Sequence, residues 1–229
     1  MPDVNASVHA ASFTLDSGQR CSALWQAPAS ARAAYVLAHG AGAGMTHPFM
    51  SMVSEGLAQR GIASYRFLFP YMERGARRPD PPAIAHAAVR AAVEHAARLM
   101  PGLALIAGGK SFGGRMSSQA QAQAVMAGVR GLAFLGFPLH AAGKPGAARA
   151  EHLHALALPL LFIQGTRDAL ADEALIGSLV ERLGRNATVH FIANADHSFR
   201  VPARGGRSQG EVHDELLDTL ANWIQQVAG

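Results

Sequence analysis

The stretch ALIAGGKSFGGR, residues 104–115, decides the fold because it carries two incompatible readings. Read as GGKS it is the end of a phosphate-binding loop; read as GKSFG it is a sharp turn that presents a serine. A phosphate loop of the G-x-x-x-x-G-K-S kind needs a glycine at the position held here by Ala104, since its backbone N–H groups must wrap the phosphates. The residues before Gly108, LALI at 103–106, form a short apolar run that reads as a buried strand. The cradle is therefore missing. The second reading is matched where the first fails: in G-x-S-x-G the chain passes from strand to helix so tightly that side chains at the flanking positions would collide, and those positions are Gly109 and Gly113. Ser111 is then expected in a strained conformation at the start of a helix, whose N–H groups and dipole favour developing negative charge.

Composition narrows the class. A chain of 229 residues is predicted to form one domain over residues 1–229, long enough to bury a full sheet between helical layers. With 49% hydrophobic and 16% charged residues it reads as a compact soluble protein, and its 24 glycines fit close packing of helices on a sheet. The single cysteine, Cys21, excludes an internal disulfide framework and fits a reducing compartment, so a cytoplasmic location is expected. The N-terminal segment has no basic start followed by an apolar core, and no apolar run approaches membrane-spanning length; neither export nor membrane association is expected. The net charge of +4 is scattered rather than interleaved with aromatics, which disfavours nucleic acid. None of the 11 histidines falls in a metal-binding spacing, and no metal or other cofactor is expected.

Along the chain, residues 8–15 and 21–27 alternate apolar and polar side chains around DSGQ, which predicts a hairpin at a sheet edge. Strands are then predicted at 33–40, 62–67, 103–108, 131–137, 158–165 and 188–193. Helices are predicted at 48–60, 82–100, 111–125, 172–183 and 210–227. Strands alternating with helices imply an α/β fold, a mainly parallel central sheet with helices on both faces and its functional loops at the carboxyl ends of the strands. Four such loops carry distinctive residues: HGAGAG at 39–44, Ser111, Asp168 in QGTRD, and His197 in NADHSF.

With these residues in view, the chain resembles the α/β-hydrolase superfamily over essentially its whole length, and within it the small bacterial serine hydrolases similar to dienelactone hydrolases. The order Ser111, Asp168, His197 is that superfamily's nucleophile, acid, histidine order. The resemblance implies a serine hydrolase acting on a carboxylic ester, thioester or lactone. His197 would take the Ser111 proton and return it to the leaving group, while Asp168 holds the imidazole tautomer. The backbone N–H groups of Phe112 and Ala41 would form the oxyanion hole. Two alternatives remain, a binding or scaffold module that has lost turnover and an acyltransferase using the same three residues.

Competing assignments within the sequence are weaker. GAGAGM resembles a dinucleotide fingerprint until Met45 replaces the last glycine, and no acid follows the next strand. Asp172 or Glu173 are alternative acids, although Asp168 has the better loop position. His190 lies inside a strand, Asp196 is expected to stabilise its own turn, and His39 is expected to be hydrogen-bonded beneath the site. Lys110 and Arg115 are expected in solvent. Between residues 137 and 159 the chain is too short for a substantial lid and allows one short helix. An open site suits a small-molecule acyl substrate. Met45, Phe49, Leu139 and Phe112 are expected on its apolar rim, and Arg74, Arg77 and Arg78 are expected in a solvated loop, with contact to an acidic group, Arg74 the candidate, as the alternative.

Overall fold

The computed structural model describes residues 6–202 and 206–229. Its strands are β1 (Val8–Thr14), β2 (Arg20–Gln26), β3 (Ala33–Ala38), β4 (Ala63–Phe67), β5 (Ala104–Lys110), β6 (Val129–Leu135), β7 (Leu160–Gly165) and β8 (Ala187–Ile192). Its helices are α1 (Pro48–Gln59), α2 (Pro70–Glu73), α3 (Pro82–Leu99), α4 (Phe112–Gln123), α5 (Glu173–Leu183) and α6 (Gln209–Ala228). The eight strands form one sheet in the order β1-β2-β4-β3-β5-β6-β7-β8. The hairpin β1–β2 occupies one edge and is joined to β4 in antiparallel fashion; every other pairing is parallel.

Strand β3 shows why the centre of the sheet reads as a continuous apolar run. All six of its residues are buried, because helices cover both faces. Ala34, Val36 and Ala38 join the core on one side with residues of α3, α4 and α5. Ala33, Tyr35 and Leu37 join the core on the other side with residues of α1 and α6. The Tyr35 hydroxyl, buried with the ring, donates to the Ala133 carbonyl at 2.8 Å, so its polar end is paired within that layer.

Local chemistry sets the helix boundaries. Proline at the first position opens α1, α2 and α3, where its missing N–H costs nothing. Ser208 and Glu211 close a reciprocal capping box at the start of α6. The loop expected after β4 contains α2, a single turn that begins at Pro70. Between β6 and β7 the chain makes a 3-10 helix, Ala148–Ala155, in place of a lid. No helix among the described residues is long and apolar enough to cross a membrane.

Candidate active site

β5 ends at Lys110 and α4 begins at Phe112, leaving Ser111 between them with φ 51° and ψ −113°. A left-handed φ is uncommon for a residue with a Cβ, and it persists only where the surroundings over-determine it. Those surroundings are the backbone of β3. A Cβ on Gly109 would stand 2.1 Å from the Ala38 carbonyl oxygen, and one on Gly113 would stand 2.3 Å from the same atom. The elbow is thus pressed against β3 at the only kind of residue that permits it. The Ser117 hydroxyl, donating toward the Gly108 and Gly113 carbonyls at 3.1 and 2.9 Å, ties the first turn of α4 back to the strand.

The loops after β7 and β8 bring two more side chains to Ser111. His197 Nε2 lies 2.9 Å from Ser111 Oγ, and His197 Nδ1 lies 2.7 Å from Asp168 Oδ2. Since the carboxylate only accepts, Nδ1 carries the ring proton and Nε2 is left with its lone pair facing the hydroxyl. The Asp168 side chain is fully buried, whereas the His197 side chain is 25% exposed. Burial of a carboxylate requires that its lone pairs be satisfied. Leu170 N–H donates to Oδ1 at 2.8 Å, and the Gln164 amide donates to Oδ2 at 2.5 Å. Gln164, a lone polar residue in the apolar strand β7, is itself held because its Oε1 accepts from Phe137 N–H at 2.9 Å. Sequence reasoning passed over this residue, although an amide inside LPLLFIQG was its signal.

The competing acids and histidines lie elsewhere. Asp172 caps α5 by accepting from Leu175 N–H at 3.1 Å, and Glu173 is exposed in the first turn. His190 is paired with Glu215 at 2.7 Å. Asp196 accepts from the N–H groups of Ser198 and Arg200 and so closes its own turn.

Opposite the elbow, the loop after β3 carries Ala41. As the first residue of α4, Phe112 has an N–H with no acceptor inside the helix. The Ala41 peptide is braced from both sides: His39 Nδ1 donates to the Gly40 carbonyl at 2.8 Å, and the Tyr71 hydroxyl donates to the Ala41 carbonyl at 2.7 Å. His39 Nε2 accepts from Phe69 N–H at 3.1 Å, so both ring nitrogens are used beneath the loop. Burial pushes His39 down to about 4, which keeps the ring neutral. Further along, the buried Arg66 guanidinium donates to the Met45 carbonyl and to Ser51 Oγ, each at 3.0 Å.

Ser111 and His197 open into a cleft of about 790 Å³. Its apolar lining includes Phe49, Met50, Met52 and Val201. Phe49 stacks on Phe199 with a centroid separation of 5.7 Å, in keeping with its expected place at the rim. Three expected rim residues require correction. Leu139 is 1% exposed and Met45 9% exposed, and neither lines the cleft. Leu139 belongs to the core beside the loop after β6, and Met45 has its carbonyl tied down by Arg66. Phe112 is partly buried, packs edge-on against Phe69 at 5.3 Å and does not line the cleft.

The basic residues are also redistributed. Arg74 is paired with Asp80 at 2.5 Å and donates to Gln19, away from the cleft, while Arg77 and Arg78 are exposed. Lys110 and Arg115, expected in solvent, are both partly buried. The Arg115 Nε has no partner among the described residues, and Lys110 lines the cleft with its ammonium 2.6 Å from the His197 carbonyl. The basic groups that reach the cleft, and that the sequence did not single out, are His47, Arg200 and His213.

Residues 31–225 match the family model described as an alpha/beta hydrolase domain. The chain belongs to the α/β-hydrolase family. Solved structures similar to it include the esterase domain of a Rhodothermus marinus protein, at 16% identity and a TM-score of 0.74, covering 97% of this chain and 100% of that one. Dienelactone hydrolase from Anabaena variabilis matches at 18% identity and a TM-score of 0.77, covering 96% and 98% of the two chains. A serine hydrolase without lid from Xanthomonas campestris matches at 20% identity and a TM-score of 0.74, covering 96% of each chain. At these identities the likeness speaks to the fold.

Proposed function

We propose that this α/β-hydrolase is a serine hydrolase that cleaves a carboxylic ester, thioester or lactone of a small-molecule acyl substrate through an acyl-enzyme on Ser111. The reading rests on one observation, the continuous hydrogen-bonded path from Ser111 Oγ through His197 to the buried Asp168 carboxylate, at 2.9 and 2.7 Å. In the attack step the Ser111 proton passes to His197 Nε2 as Oγ bonds to the carbonyl carbon. The carbonyl electron pair moves onto oxygen, where the N–H groups of Ala41 and Phe112 receive it. Collapse expels the alkoxide or thiolate, which takes the proton from the imidazolium. Water then repeats the sequence on the acyl-enzyme, releasing the acid and restoring Ser111. Asp168 keeps Nδ1 protonated and stabilises the imidazolium without accepting its proton.

The cleft indicates which substrates fit. Its apolar side chains accommodate a short acyl group, and its basic residues His47, Arg200 and His213 face no Asp or Glu among the described lining residues. Arg200 is the permanent cation of the three, since His47 Nδ1 and His213 Nε2 both accept hydrogen bonds, and a substrate carrying an anionic group beyond the scissile bond matches its charge.

The test is treatment of the purified protein with a fluorophosphonate probe, the adduct being located by peptide mass spectrometry. Labelling is expected at Ser111 and is expected to be lost in Ser111→Ala and strongly slowed in His197→Ala. A folded protein that takes no label, or takes it at another residue, overturns the reading and favours a binding module.

A further inference from the structure

Lys110 immediately precedes the nucleophile position, and its ammonium reaches the segment that carries His197. Nζ donates to the backbone carbonyl of His197 at 2.6 Å and stands 5.5 Å from the centroid of the Phe199 ring. Both contacts fall in the segment between β8 and α6 that carries His197. That segment contains two non-glycine residues with left-handed φ, Asn194 at 60° and Phe199 at 59°, a conformation that persists only when held. Neighbouring bonds hold it at its flanks. Asn194 N–H donates to Thr166 Oγ1 at 2.8 Å, Arg167 N–H to the Ala195 carbonyl at 2.9 Å, and the Gln209 amide to the Phe199 carbonyl at 2.7 Å. Among the described residues, the bond to the backbone of His197 itself comes from Lys110.

Ser111 follows β5 and His197 follows β8, and two further strands lie between these in the sheet. Their separation otherwise depends on accumulated packing across β6 and β7. We propose that Lys110 is a positioning residue that ties the His197 backbone to the elbow carrying Ser111, fixing the distance between base and nucleophile. The proposal rests on the reading of Ser111 and His197 as the reacting pair. Asp168 sets the rotation of the imidazole, and Lys110 sets the place from which it projects. Geometry of this kind affects the chemical step, since small misplacements of a reacting group are costly.

The charges facing this ammonium are Asp168, from the loop after β7, and Asp196, from the His197 loop; the His197 ring is the nearby titratable base. Burial lowers Lys110 to about 8 against the opposing pull of the two carboxylates. The tether is therefore charge-assisted at neutral pH and weakens as pH rises through about 8. Arginine in its place stays charged throughout that range.

The experiment compares wild type, Lys110→Met and Lys110→Arg on p-nitrophenyl acetate, which is neutral, and on p-nitrophenyl hemisuccinate, which is anionic. In Lys110→Met, kcat is expected to fall by about tenfold on both esters with KM within about twofold, and fluorophosphonate labelling of Ser111 is expected to slow in parallel. Wild type is expected to lose activity as pH rises through about 8, and Lys110→Arg to lack that loss. Should Lys110→Met fail to fold, the pH profiles of wild type and Lys110→Arg decide alone. Unchanged kcat in Lys110→Met, superimposable pH profiles, or a KM increase confined to the anionic ester would each overturn the proposal, the last by making Lys110 a substrate contact. A wild-type protein that neither labels nor turns over instead overturns the serine-hydrolase reading, and the positioning role with it.

Discussion

The Nδ1–H of His39 donates to the Gly40 carbonyl at 2.8 Å, and the peptide unit it grips ends in the Ala41 N–H. A hydrogen bond to the carbonyl end of a peptide fixes the plane in which its N–H points and polarises that N–H. The ring is itself anchored, because its Nε2 accepts from Phe69 N–H at 3.1 Å. His39→Ala is therefore expected to lower kcat by about tenfold to a hundredfold, less than the loss of an oxyanion donor outright, with little change in KM. Steady-state kinetics on a neutral ester measures this. Unchanged kcat in a folded variant would show that the Ala41 peptide needs no support from His39.

Gln164 links two loops of the site. Its amide donates to Asp168 Oδ2 while its Oε1 accepts from Phe137 N–H, and the side chain is fully buried. Replacement by leucine preserves bulk but leaves the Phe137 N–H buried without a partner, which costs about 1–3 kcal/mol. It also removes a donor from the buried carboxylate. Gln164→Leu is thus expected to lower both the urea midpoint and kcat, the latter by about tenfold, whereas a fall in stability alone would reduce Gln164 to a packing element.

Gln164 marks where sequence reading stops, whereas His39 was expected to be hydrogen-bonded beneath the site and both of its ring nitrogens are. The strand and helix alternation, the hairpin and the loop positions of Ser111, Asp168 and His197 were legible because each rests on local periodicity or on a turn that only glycine allows. Leu139 and Met45 were misplaced for a physical reason: an apolar residue beside a site fits a core and a rim equally well, and only the path of the loop decides between them. Lys110 and Arg115 were misplaced similarly, since a basic residue next to a turn reads as solvated unless its partner, here a carbonyl 87 positions further along the chain, is known. Gln164 makes its contacts across the fold, and Arg200 reaches the cleft through the path of its loop, neither of which any spacing encodes.

Arg200 is exposed at the cleft, whose described lining contains no carboxylate. If the substrate carries an anionic group, Arg200→Ala is expected to lower kcat/KM on p-nitrophenyl hemisuccinate by about tenfold while leaving p-nitrophenyl acetate within about twofold. The difference is expected to shrink as salt is raised, because an exposed ion pair is screened. Equal effects on the two esters would remove the anionic group from the proposed substrate.

Two histidines, His39 buried and His152 half-buried, give the fold a built-in acid sensitivity. Burial pushes both His39 and His152 down to about 4, and for His152 the charges of Arg115 and His86 add to the effect. In the unfolded chain a histidine titrates near 6.5. Between about pH 6.5 and 4 the unfolded state therefore binds more protons than the folded one, so their contribution is fully present above about 6.5 and is lost as pH falls toward 4. For His39, the more deeply buried of the two, the loss has an upper limit on the order of 3 kcal/mol. This window opens before most carboxylates protonate, so it separates the histidines from ordinary acid unfolding. Urea titrations at a series of pH values are expected to show stability falling steadily through it. In the His39→Asn, His152→Asn double variant the slope is expected to flatten while the absolute stability drops. A wild-type curve already flat between about pH 6.5 and 4.5 would mean that neither ring is held neutral by its surroundings.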